Sequence, residues 1–161
     1  MKALIDDMFE DKYAQNTLNF DVNVVLDLDK LSVGGHSFGA MTGIAVANED
    51  ERAKASFGLD PWIWTNVEEI DEGKFTVDKP NCYIISESFP AEVLHFFDYD
   101  TVKCLKIMQE SSSSNEKELV IVKETGHYHQ CDAVVLVPLE SFLRTGFKFQ
   151  LNYTDLYLLH S

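Results

Sequence analysis

Three short stretches of this chain hold residues that could act together on an ester or amide. Gly35-His36-Ser37-Phe38-Gly39 sets a serine between two glycines, after the run Leu31-Ser32-Val33-Gly34 and before a series of small residues. A strand, a tight turn and a helix in that order form a corner that lifts a serine hydroxyl above the end of a sheet. Glycine is expected on both sides of the serine, where strand and helix pass too closely for a Cβ. Asp60 closes a second apolar run, Ala55-Ser56-Phe57-Gly58-Leu59, just before Pro61. Thr125-Gly126-His127-Tyr128-His129-Gln130 follows a third, Leu119-Val120-Ile121-Val122.

Nucleophile, acid and base fall in that chain order. A serine hydroxyl is a poor nucleophile until a base takes its proton, and an imidazole with a pKa of about 6.5 suits the task at neutral pH. A buried aspartate would orient that imidazole and stabilise its protonated form. The backbone N–H of Phe38, directly after the serine, would donate to a developing oxyanion. Ser37 therefore reads as nucleophile and Asp60 as acid. Asp78 and Asp98 are weaker choices for the acid, because neither directly follows a strand. His127 and His129 compete for the base, and position alone does not separate them. With Cys131 they also spell His-x-His-x-Cys, but a short loop without a fourth ligand does not match known zinc spacings. No metal or organic cofactor is expected, since a triad supplies its own proton transfers. His36 inside the corner is assigned to packing, and His95 and His160 to the surface.

These groups need a scaffold that brings three strand ends together. Residues 1–13 read as a short amphipathic helix with Leu4, Ile5 and Met8 on one side. The stretch 16–29 is either a helix or an irregular connection. Strands are expected at 31–34, Ala55–Leu59, 82–86 and 119–122, the last being the clearest. Helices are expected at 38–48, at 91–109, at 133–143 and at 153–160, and the serine run from Ser111 is a polar connector. The first of these helices is thin, through Gly39, Ala40, Gly43, Ala45 and Ala47. Alternation of strands and helices indicates a parallel sheet of about four strands with helices on both faces. In such sheets ligands bind beyond the carboxyl ends of the strands, where all three candidate segments fall.

Composition limits the partners. The chain has 161 residues, 45% of them hydrophobic, which suits one domain with an ordinary core. Thirteen Lys and Arg against 27 Asp and Glu give a formal net charge of -14. Nucleic acid is an unfavourable partner for that charge, and so is an anionic membrane surface. Cys82, Cys104 and Cys131 are odd in number and show no zinc or disulfide spacing, so buried reduced thiols are expected. No apolar run reaches the length of a membrane span, and the N-terminus has no secretory core. As written, the chain is expected to be soluble and cytoplasmic.

The residues also resemble a known family, the platelet-activating factor acetylhydrolases of the plasma and type II intracellular group, within the α/β-hydrolases. Its G-H-S-F-G segment is matched by Gly35 to Gly39. Its L-D-x-W-M segment is matched by Leu59-Asp60-Pro61-Trp62-Ile63, with isoleucine replacing methionine. Ser86-Glu87-Ser88-Phe89 is similar to its S-E-x-F, and Gly126 to Gln130 to its G-x-x-H-Q. The last match implies His129 as the base, with His127 a neighbour. The likeness runs from about Asn19 to Gln130, and more loosely to the C-terminus. It implies cofactor-free hydrolysis of short or oxidised sn-2 acyl chains of phospholipids through an acyl-enzyme.

Family members place several strands before the serine corner, including a loop that donates to the oxyanion. The resemblance therefore implies that residues 1–161 are the C-terminal portion of one such domain, a truncated sheet with its N-terminal strands absent. The strand at 31–34 would then carry an unpaired edge, through which self-association is expected. Two other readings are a general carboxylesterase of dienelactone-hydrolase type and a catalytically silent fragment that survives as a binding module.

Overall fold

The computed structural model describes residues 1–132. The chain divides into two compact units, Met1–Gln130 and Cys131–Ser161, and every element named below belongs to the first. The helices expected at 133–143 and 153–160 lie outside the described residues, as does His160.

Two short helices open the chain, α1 (Lys2–Met8) and α2 (Tyr13–Asn16). The single helix expected over 1–13 stops at Met8, and only Ile5 of its apolar residues is fully buried. The stretch 16–29 is an irregular connection ending in a 3-10 turn, Leu28–Lys30. Then come β1 (Ser32–His36), α3 (Phe38–Glu49), β2 (Ala55–Leu59), α4 (Val67–Asp71), β3 (Asn81–Ser86), α5 (Phe89–Phe97), α6 (Thr101–Ser111) and β4 (Lys117–Val122). All four strands are parallel and lie in chain order, β1-β2-β3-β4. The fold class is thus the α/β-hydrolase-like one expected, a four-stranded parallel sheet flanked by helices.

Packing follows the residue pattern. β3 alternates over 82–85, with Tyr83 and Ile85 buried and Cys82 and Ile84 half-buried. These two side chains join Ile44 of α3, Ile70 of α4 and Leu105 and Met108 of α6 in one apolar core. Small residues bring α3 onto β1: a Cβ on Gly43 would stand 2.8 Å from the Gly34 Cα. The register sets Gly35 beside Gly58 and Leu59 beside Ile84, so the ends of β1, β2 and β3 stop at nearly one level.

The helix expected over 91–109 is broken in two. Asp98 adopts a left-handed backbone (φ 55°) that ends α5, and the Asp100 carboxylate accepts from the Lys103 N–H at 3.0 Å to cap α6. Acidic side chains near a helix end favour such breaks. The apolar spacing hides this one because both helices bury their inner side in the same core. A 3-10 turn at Ile63–Asn66 and α4 are further elements that the sequence pattern does not announce. The serine run is a connector as expected: Ser112 Oγ donates to the Val77 carbonyl at 2.6 Å, and Ser113 N–H to Asp78 Oδ1 at 2.6 Å. Asp78 and Asp98 are thereby both committed to chain geometry.

Candidate active site

Ser37 is the residue between β1 and α3, with φ 58° and ψ -123°. A non-glycine residue there is strained and persists only where its surroundings hold it. They do: Ser37 N–H donates to the Leu59 carbonyl at 2.9 Å, and its own carbonyl accepts from Trp62 N–H and Met41 N–H, both at 3.2 Å. Glycine is required at position 35, where a Cβ would lie 2.8 Å from the Gly39 carbonyl carbon. At position 39 the expectation fails, because a Cβ would meet nothing within 4 Å. Gly39 lies on the exposed side of the first turn of α3, so only the upstream glycine faces the tight approach. The Phe38 N–H is the first amide of α3, has no acceptor within the helix, and sits at the positive end of its dipole.

Asp60 follows β2 and is fully buried. Its N–H donates to the Ile84 carbonyl at 2.9 Å, which pins its left-handed backbone (φ 45°) against β3. One carboxylate oxygen, Oδ1, accepts from Ser86 N–H at 2.6 Å. The other, Oδ2, accepts from Ser86 Oγ at 2.7 Å and lies 3.2 Å from His127 Nδ1. On its far side the His127 ring places Nε2 3.0 Å from Ser37 Oγ. Carboxylate, imidazole and hydroxyl thus form one hydrogen-bonded line across the ends of β1, β2 and β4.

The histidine beside Ser37 is His127 and not the His129 that the family resemblance implied. The His129 Nδ1 accepts the Gly126 N–H at 2.8 Å, and the residue is exposed. Both histidines sit on the 3-10 turn His127–Gln130. With three residues per turn, positions two apart point in different directions, so one histidine facing Ser37 turns the other away. Counting forward from the end of β4, rather than matching the Gly-x-x-His-Gln pattern, would have pointed to His127, the first histidine the loop can present.

The loop carrying His127 is fastened by Glu87. Its carboxylate takes Lys123 Nζ at 2.6 Å and Glu124 N–H at 2.9 Å, and its own N–H donates to the Val122 carbonyl at 3.1 Å. The Lys123 ammonium first, then the Glu124 amide, hold the Glu87 carboxyl below the usual range. Aromatic rings enclose the imidazole: Phe89 is stacked at 4.5 Å, His36 tilted at 4.4 Å, and Trp62 edge-on at 6.5 Å. His36 does more than pack, because its Nε2 lies 3.0 Å from the His127 carbonyl oxygen. Burial, and then the neighbouring His127, push the His36 pKa down, which favours a neutral ring donating that proton.

Nitrogen and oxygen atoms of His36, Asp60 and His127 lie within 4.8 Å of one another, close enough to surround a cation. They are already committed to each other, and Ser86 engages both Asp60 oxygens, so the set fits proton transfer better than metal ligation. Two members of the site were not singled out from sequence as parts of it. Ser86 contacts Asp60 as above, and Gln130 Nε2 donates to Ser86 Oγ at 2.7 Å. Ser86 stands at the end of β3, and that position at the carboxyl edge of the sheet is the signal that could have marked it. Among the described residues no helix is long and apolar enough to cross a membrane.

Comparison with known proteins identifies a family. A family model described as platelet-activating factor acetylhydrolase, isoform II, matches residues 5–153, beginning upstream of the likeness read from motifs. The chain is similar to a platelet-activating factor acetylhydrolase of Cavia porcellus, 31% identical over 118 residues, covering 71% of this chain and 24% of that protein. One from Bos taurus is 35% identical over 75 residues, covering 45% and 16%. One from Canis lupus familiaris is 27% identical over 119 residues, covering 71% and 24%. The chain therefore spans a quarter or less of the length of these curated relatives. No solved structure matches it significantly.

Proposed function

This chain belongs to the platelet-activating factor acetylhydrolase, isoform II, family, and from that premise we propose that it is a serine esterase acting through Ser37, His127 and Asp60. The observation that carries the reading is the line Ser37 Oγ–His127 Nε2 at 3.0 Å and His127 Nδ1–Asp60 Oδ2 at 3.2 Å. In the reaction, Ser37 Oγ attacks the ester carbonyl carbon while His127 Nε2 takes the hydroxyl proton. Asp60, buried beside it, stabilises the imidazolium that results. The carbonyl oxygen becomes an oxyanion, and the Phe38 N–H is its donor from this chain. Collapse of the tetrahedral intermediate breaks the ester C–O bond. His127 returns its proton to the leaving alcohol, and Ser37 is left acylated. Water, deprotonated by His127, then releases the carboxylic acid and restores the serine.

The substrate class comes from the family: phospholipids with short or oxidised sn-2 acyl chains. Aromatic surroundings support an ester with an apolar body. Phe38 stacks on Trp62 at 5.6 Å, and Trp62 meets Phe97 edge-on at 5.0 Å.

Labelling by a fluorophosphonate tests the reading. The wild type should label, and Ser37→Ala and His127→Ala should not. A folded wild type that resists labelling would overturn it. Labelled protein that cleaves short soluble esters but no 2-acetyl phospholipid would keep the mechanism and reject the substrate class.

A further inference from the structure

The three proposed triad members leave one well-built feature of the site unexplained: the grip of Ser86 on the acid. Ser86 touches Asp60 twice, at 2.6 Å through its N–H and 2.7 Å through its hydroxyl, both closer than His127 at 3.2 Å. The hydroxyl has one proton and two acceptors within reach, Asp60 Oδ2 and the Gly126 carbonyl at 3.1 Å. Gln130 Nε2 donates into the same oxygen at 2.7 Å and occupies one of its lone pairs. With that lone pair filled, the proton is best directed to the nearer, charged acceptor, Asp60. Ser86 is completely buried, so no water competes for these bonds.

We infer that Ser86 is a positioning residue for the acid, acting through Asp60 on His127, and that Gln130 directs the Ser86 hydroxyl. This rests on the triad reading above. The two Ser86 donors fix the plane of the carboxylate before His127 arrives. The hydroxyl also draws negative charge from Oδ2, the oxygen that faces the imidazole. Removing it concentrates charge there, favours the imidazolium, and moves the pH at which His127 becomes a competent base upward. The N–H bond to Oδ1 keeps the carboxylate in place, so the electrostatic change is the effect read. The ionisable groups facing His127 are His36 from β1, Asp60 after β2 and Tyr128 in its own turn. Phe89 from α5 and Trp62 are uncharged.

The test is the pH dependence of fluorophosphonate labelling of the purified chain. Ser86→Ala should label about two- to threefold more slowly near pH 7, with the acidic midpoint raised by roughly 0.5 to 1 pH unit. Ser86→Thr, which keeps the hydroxyl, should return the midpoint to the wild-type value. Gln130→Leu, at a partly exposed position, should shift the midpoint in the same direction by less. Wild-type labelling with midpoints unchanged in both Ser86→Ala and Gln130→Leu overturns the inference while leaving the triad standing. A folded wild type that does not label removes both.

Discussion

The corner after β1 and the loop after β4 each deliver one side chain to the same spot, and they do it by opposite means. The corner uses backbone sterics over five residues. Gly35 leaves no room for a Cβ, Ser37 takes a strained positive φ, and hydrogen bonds from β2 and Trp62 lock the turn. The loop uses groups from elsewhere: the Glu87 side chain ties down Lys123 and Glu124, the Ser88 N–H reaches the Thr125 carbonyl at 3.1 Å, and His36 meets the His127 carbonyl. A local steric device writes itself into adjacent residues. A device assembled from distant contacts does not, and this is why two neighbouring histidines look equivalent in sequence.

Removing the groups at the two ends of the line should have the largest effects. Ser37→Ala should abolish labelling. His127→Ala should lower kcat/KM by about 10³ to 10⁴, whereas His129→Ala should stay within a few-fold. Equal losses for the two histidines would erase the distinction drawn between them. Within the corner, Gly35→Ala forces a Cβ against the Gly39 backbone and should cost about 1–3 kcal/mol in a denaturation midpoint experiment. Gly39→Ala meets open space at the start of a helix and should be neutral, or stabilise by up to about 0.5 kcal/mol.

In the loop, Glu87→Ala should slow labelling about tenfold by loosening His127, with little change in thermal unfolding. An unchanged rate would show that the loop holds its place without that anchor. The smallest expected effect is on pH dependence. His36 has a depressed pKa in the fold, so its contribution to stability is fully present above its unfolded value of about 6.5. That contribution is lost as pH falls through the folded value. His36→Asn should therefore show a slightly flatter fall in Tm from pH 7 to pH 5 than the wild type.

Much of the scaffold was readable because it depends on neighbours in sequence. β2 spans the same five residues in sequence and structure, and α3 differs from its expected span by one residue. The long helix over 91–109 misled because two helices sharing one core keep a common apolar period across the break at Asp98. Gly39 misled in the same way: the pentapeptide is symmetrical about the serine, but the fold crowds only one side of it.

By itself the sequence determined the order of the four strands, the serine corner and the aspartate at the end of β2. Each of these follows from residue pattern, glycine sterics or position at a strand terminus. Only the tertiary structure decided which histidine faces Ser37, that Ser86 and Gln130 stand behind Asp60, and that His36 bonds to the His127 backbone. The contacts between Ser86 and Asp60 join residues 26 apart, those between Gln130 and Ser86 residues 44 apart, and those between His36 and His127 residues 91 apart. Such pairs meet only once a parallel sheet has brought its strand ends to one level, and no local pattern of residue types encodes which side chain then points inward.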